Sequence, residues 1–178
     1  MGLDASTTTI GLSILKYDDG YLSLDHYEYY KPPKEGNIFE RLGAVREFIV
    51  SKINELQPTD VALEEIIQYM KKTTPKTIIA LAQLNRTVGL AVYNKTGKPP
   101  MLLDVNKIRR TIKLGKLQPK KEEIPDVICA HLDIIFPYVY KKQGKNKGKP
   151  ADESFDMADS MAVALAYYKL FIEGKDNV

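Results

Sequence analysis

Three short stretches place acidic side chains where structure alone gives them little reason to be. The first is Met1 to Leu15, MGLDASTTTIGLSIL, read as an apolar strand, a tight polar turn and a second strand. Asp4 stands where the first strand meets the turn, ahead of Ser6, Thr7, Thr8 and Thr9. A carboxylate is costly to hold in a strand that becomes buried, because charge loses hydration. A turn Asp opening a β-hairpin would use the same residue. The second stretch is Glu64-Glu65, at the end of the apolar run DVALEEII from Asp60 to Ile67. Neighbours on a strand face opposite sides, so one of the two can share Asp4's side. The other is left for a basic neighbour or for water. The third is the start of the last helix, with Asp152, Glu153, Asp156 and Asp159. First-turn acids complement the helix dipole, and Asp156 fits a cap. Asp159 borders the apolar run SMAVALA, where capping explains less. Asp156 and Asp159, three apart, share a helix face.

If these places meet in space, they hold Asp4, a glutamate, Asp156 and Asp159. Four clustered carboxylates cannot all stay ionised unless cations neutralise them. Hard oxygen ligands select Mg²⁺ or Mn²⁺. Beside a basic surface, such a cluster points to two-metal chemistry on a phosphodiester.

The basic surface is visible in the charge order. The net charge is only +3 over 178 residues. Residues 1–65 carry 6 basic and 12 acidic side chains, residues 66–150 carry 18 and 5, and residues 151–178 carry 2 and 6. A basic middle between acidic ends is the footprint of a polyanion partner beside carboxylates kept for another purpose. The single cysteine, Cys129, excludes an internal disulfide and a cysteine-cluster metal site. His26 and His131 lack metal-ligand spacing and read as structural. No apolar run approaches the roughly 20 residues that span a bilayer, and the composition is that of a soluble, cytoplasmic protein. MGLDAS fits a myristoylation pattern, which would tie up the strand that carries Asp4.

The elements needed to position the acids follow from periodicity. The length fits one domain, residues 1–178. Asp18-Asp19-Gly20 is a hairpin turn leading to a tyrosine-rich strand, Tyr21 to Tyr30, so three strands form an antiparallel meander. Asn37 caps a helix from Ile38 to Leu56. Asp60 to Ile67 reads as a central buried strand, and residues 68–76 as a basic loop. A long apolar helix, Thr77 to Tyr93, carries the small residues Ala80, Ala82, Gly89 and Ala91, which admit a close neighbour. A fifth strand spans Pro99 to Val105. A polar helix from Asn106 to Lys113 and a basic loop from Lys116 to Glu123 follow. Helices are expected over Ile124 to Phe136 and Phe155 to Ile172. Between them KKQGKNKGK, residues 141–149, reads as a flexible basic loop. The order fits an α/β fold, a mixed five-stranded sheet with three antiparallel and two parallel strands, flanked by helices.

Taken together, the three motifs resemble those of the RuvC family of Holliday-junction resolvases, within the ribonuclease H-like nucleases. GLDAS resembles the family's G-[IL]-D-P-G opening. ALEEI resembles its A-I-E segment, which selects Glu64. DMADSMAVALA resembles its D-x-x-D ending, and LAQLNRTVGLAVYNKTG its dimerisation helix. Ala5-Ser6 stands where Pro-Gly is usual, Ile67 replaces an aromatic with Tyr69 two residues on, and the lysine-rich insertion is atypical, as in divergent phage members. The resemblance implies a Mg²⁺-dependent homodimeric endonuclease acting on four-way junctions and other branched DNA. Asp4 would bridge two metals and Glu64, Asp156 and Asp159 would complete their shells, with Mn²⁺ able to substitute. Tyr69, Lys71, Lys72, Lys107, Arg109, Arg110, Lys120 and Lys121 would contact DNA, lysine and arginine through the phosphates.

Three other readings use some of the same residues. A ribonuclease H-like nuclease acting on hybrids or transposon DNA would need the same acids. An ATP-binding fold of the actin and sugar-kinase type would use GLDASTTTIG as a phosphate loop, yet no second such loop is present. A non-catalytic module would bind branched DNA without cutting it.

Overall fold

The computed structural model describes residues 1–66 and 74–173. Expected contacts at Tyr69, Lys71 and Lys72 lie outside the described residues. The chain begins with strands β1 (Gly2–Ala5), β2 (Ile10–Asp18) and β3 (Tyr21–Tyr30). They pair antiparallel, Asp4 facing Gly11 and Gly11 facing Tyr29. Helix α1 (Ile38–Leu56) follows, and Asn37 caps it in a full capping box with Glu40. Its apolar residues Val45, Ile49 and Ile53 are buried.

Strand β4 (Ala62–Glu64) then lies parallel to β1, and β5 (Met101–Leu103) parallel to β4. The strand order is β3-β2-β1-β4-β5, the mixed sheet that the element order implied. β4 and β5 are shorter than the periodicity predicted, because the apolar runs continue past the last paired residue. Helix α2 (Pro75–Thr96) joins β4 to β5, with Thr74 as cap and Pro75 in its first turn, where proline lacks no needed donor. It extends the predicted helix at both ends.

Helix α3 (Val105–Ile112), a 3₁₀ turn (Lys121–Glu123) and helix α4 (Ile124–Leu132) come next. α4 stops four residues before the predicted Phe136, since Asp133 turns left-handed (φ 52°) and closes it. Helix α5 (Asp152–Phe171) begins a turn earlier than predicted. Ala151 is its cap, so Asp156 lies inside the helix and is not the capping residue.

The sheet separates two apolar cores. Leu3, Ile10, Leu12 and Leu63 face α1 and α2, whereas Ala62 and Leu103 face α3, α4 and α5. The alternation is the ordinary strand period of two, and it decides where the acids point. Gly2 and Gly11 fix how near α5 can come. A Cβ at Gly2 would lie 2.2 Å from the Ser160 carbonyl oxygen, and one at Gly11 2.1 Å from that of Asp156. Only glycine admits the helix backbone at this separation.

The lysine-rich stretch is not shapeless. Tyr140 bridges to Pro150, and the Gly148 amide donates to the Lys141 carbonyl at 2.9 Å. Gly144 and Gly148, both at φ 83°, supply the turns. No helix among the described residues is long and apolar enough to cross a membrane.

Candidate active site

Leu3 points into the α1/α2 core, so Asp4, one residue on, points toward α5. Leu63 and Glu64 repeat the relation on β4. Leu3 pairs with Leu63, and one further step in that register sets Asp4 beside Glu64. α5, seated on Gly2 and Gly11, brings Asp156 and Asp159 over the same strand ends. Carboxylate oxygens of Asp4, Asp156 and Asp159 all lie within 4.8 Å of one another. The four acids open into a cleft of about 460 Å³, with Arg109 and Lys121 also in its wall.

The electrostatics show what this arrangement costs. Withdrawal from water pushes the Asp4 carboxyl well above the usual range, and Glu64, Asp159 and Asp156 push it further. Burial, followed by the charge of Asp159, raises Glu64 to about 7. Asp156 and Asp159 are raised as well, first by burial, with Lys121 opposing. Thr9 donates to the Asp156 carboxylate and favours its charged form.

Lys121 was expected to be a phosphate contact on a basic loop. The structure places its ammonium among the acids, 2.9 Å from Asp159 Oδ2 and 3.4 Å from Asp156 Oδ1. Burial would discharge it, but Asp159, Asp156 and Asp4 outweigh that effect and raise its pKa. One tethered ammonium and Arg109 face the four carboxylates. The donor set is therefore all hard oxygen with a deficit of positive charge, which fits divalent cations such as Mg²⁺.

The remaining predicted contacts spread out. Lys107 lies 5.8 Å over the Phe171 ring, Arg110 bonds the Asn106 carbonyl, and Lys120 is exposed. None of these three lines the cleft.

Glu65 also lines the cleft, but its carboxylate is engaged by Arg86 of α2 at 3.0 Å. Asn85, buried in α2, donates from Nδ2 to the Glu64 carbonyl at 2.7 Å. Sequence reasoning passed over both α2 residues. The available signal was an asparagine inside an apolar helical face, between Leu84 and Val88, where an unpaired amide would be costly.

No protein-family model matches the sequence, and curated proteins give no match. Solved structures do. Thermus thermophilus RuvC in complex with a Holliday junction substrate superposes with a TM-score of 0.69 at 19% identity, over 94% of this chain and 90% of that one. A second Thermus thermophilus RuvC structure gives 0.67 at 20%, over 94% and 92%. The fowlpox virus resolvase, complexed with substrate Holliday junction DNA, gives 0.51 at 17%, over 93% and 95%. The fold is the ribonuclease H-like fold of RuvC.

Proposed function

We propose that this chain is a divalent-metal-dependent endonuclease of branched DNA, a divergent RuvC-like resolvase that cleaves four-way junctions. The observation that carries the reading is the convergence of Asp4, Glu64, Asp156 and Asp159 in one cleft on the RuvC fold. Asp4 sits centrally and, with the other three, would hold two Mg²⁺ ions. Bound there, the metal pair supplies Lewis acidity for attack of water on a phosphodiester. Glu64, held up first by burial and then by the charge of Asp159, would be ionised beside bound cations. Lys121 and Arg109, both in the cleft wall, would be placed to take phosphate oxygens once cations relieve the carboxylates. Lys107, Arg110 and Lys120 extend the basic surface along the DNA.

A homodimer is part of the proposal. The outer face of α2 leaves Ile79, Leu90 and Tyr93 exposed by half or more. A second copy packed there would cover them and set two clefts against one junction.

The test is a panel of an immobile four-way junction, a linear duplex and an RNA–DNA hybrid, each end-labelled, in Mg²⁺ and in EDTA. Paired nicks confined to the junction and absent in EDTA support the reading. Hybrid cleavage instead moves the chain to another ribonuclease H-like activity.

A further inference from the structure

One face of the sheet remains unexplained by the cleft. Tyr27 and Tyr29 lie on the edge strand β3 and are exposed, 43% and 37%. Tyr29 pairs with Gly11, which pairs with Asp4. Residues in one row across a sheet share a face, so both tyrosines look the same way as the acids. At about 4.8 Å per strand, Tyr29 stands roughly 10 Å from Asp4 along that row. Across from them the segment Pro137-Tyr138-Val139 closes a groove of about 440 Å³ floored by Met157. Tyr140 follows, exposed, its ring 6.0 Å from that of Tyr138.

The charges around the groove are arranged for an anion. Glu28 also lines the groove, but Lys52 of α1 pairs with its carboxylate at 2.9 Å. Glu153 is paired with Lys31, whose ammonium also lies 5.9 Å from the Tyr29 ring centre. The turns that leave from Tyr140 carry exposed Lys142, Lys145, Lys147 and Lys149.

From this juxtaposition of exposed tyrosines and unpaired lysines we infer that the β3 groove binds a single DNA strand, its bases stacking on Tyr27 and Tyr29 and its phosphates on the 141–149 turns. Aromatic faces with a basic rail bind unpaired strands with little regard to sequence. The groove and the acid cluster lie on the same face of the sheet, on either side of the α5 backbone that rests on Gly11. Resting on the nuclease reading, the groove further selects branched substrates with an unpaired strand beside the branch, such as flaps and splayed arms.

The sequence has no tryptophan and 11 tyrosines, so tyrosine fluorescence reports stacking directly. The experiment titrates the full chain with fluorescein-labelled dT15 in EDTA, reading anisotropy and, with unlabelled dT15, tyrosine quenching. Tyr27→Ala/Tyr29→Ala should weaken dT15 binding about tenfold or more and reduce the quenching. Tyr29→Phe should bind as the parent does, because the ring is kept. Lys145→Gln/Lys147→Gln/Lys149→Gln should lower the salt slope by about 2, at about 0.7 per phosphate. Circular dichroism of each variant checks folding. Undiminished dT15 affinity in the double tyrosine variant would overturn the inference. So would a parent chain indifferent to dT15 that self-associates through β3, since the face would then be a protein interface. Junction nicking is scored separately. Tyrosine-dependent dT15 binding without nicking removes the nuclease reading and leaves the groove, and the reverse removes the groove alone.

Discussion

Leu3 and Asp4 are neighbours, as are Leu63 and Glu64, yet each pair divides between two kinds of environment. The leucines have 0% exposure and pack with Val45, Ile49 and Val88. The acids, one Cα further on, face like charges across a cleft. On one side of the sheet burial stabilises. On the other it is imposed on groups that resist it, and only cations relieve the cost. The RuvC-like fold uses the strand period to hold an unfavourable cluster rigidly, because the same backbone is clamped by the favourable core behind it.

Breaking each member of one pair should separate the two roles most strongly. Leu63→Ala should cost about 2–5 kcal/mol of stability, measured by urea denaturation. Glu64→Gln should keep or raise metal-free stability but lower junction cleavage by about three orders of magnitude, several kcal/mol of transition-state stabilisation. Loss of stability in Glu64→Gln comparable to Leu63→Ala would erase the contrast.

The contact between sheet and α5 comes next. Gly2→Ala should cost about 3 kcal/mol, since the new methyl would meet the Ser160 carbonyl and the α5 backbone must shift. Thermal unfolding reads this loss, and cleavage should fall with it as Asp156 and Asp159 move from Asp4.

A smaller effect sharpens the electrostatic half of the comparison. Glu64 has a folded-state pKa of about 7 against an ordinary 4.5. Between these values the folded chain holds more protons than the unfolded one. Metal-free stability should therefore fall as pH rises from about 4.5 to about 7, by at most about 1.4 kcal/mol per unit for one proton. Glu64→Gln should flatten the slope in that window. A slope equal to the parent's would show that Glu64 is not the group responsible.

The smallest effect lies far from either side. Asn37→Ala removes the α1 capping box and should cost about 1 kcal/mol. Junction cleavage at a temperature well below melting should not change.

Much of this contrast is legible in the sequence. Periodicity located β3 and α1 to the residue, and Asn37 declared itself as a cap. Asp4, Asp156, Asp159 and the pair Glu64-Glu65 were exposed as candidates by being charged at the edges of apolar runs, and the resemblance to RuvC selected Glu64. Charge order does not report distance, however. Lys121 read as one more lysine of a basic loop, and only the 3₁₀ turn carries it among the carboxylates. Gly2 and Gly11 gave no periodic signal, since their role is the missing Cβ under a helix that is distant in sequence. Asn85 was hidden for the opposite reason, its amide being satisfied by a backbone carbonyl that no pattern reveals. The groove by β3 appeared only as excess tyrosine and excess lysine, in segments more than a hundred residues apart.

The most direct measurement is single-turnover cleavage of a labelled immobile four-way junction by the parent chain and by Asp4→Asn, each in Mg²⁺ and in EDTA. The account predicts nicks near the branch from the parent in Mg²⁺ alone, with none from Asp4→Asn although it still binds the junction. Cleavage by Asp4→Asn at the parent's rate, or by the parent in EDTA, would contradict it.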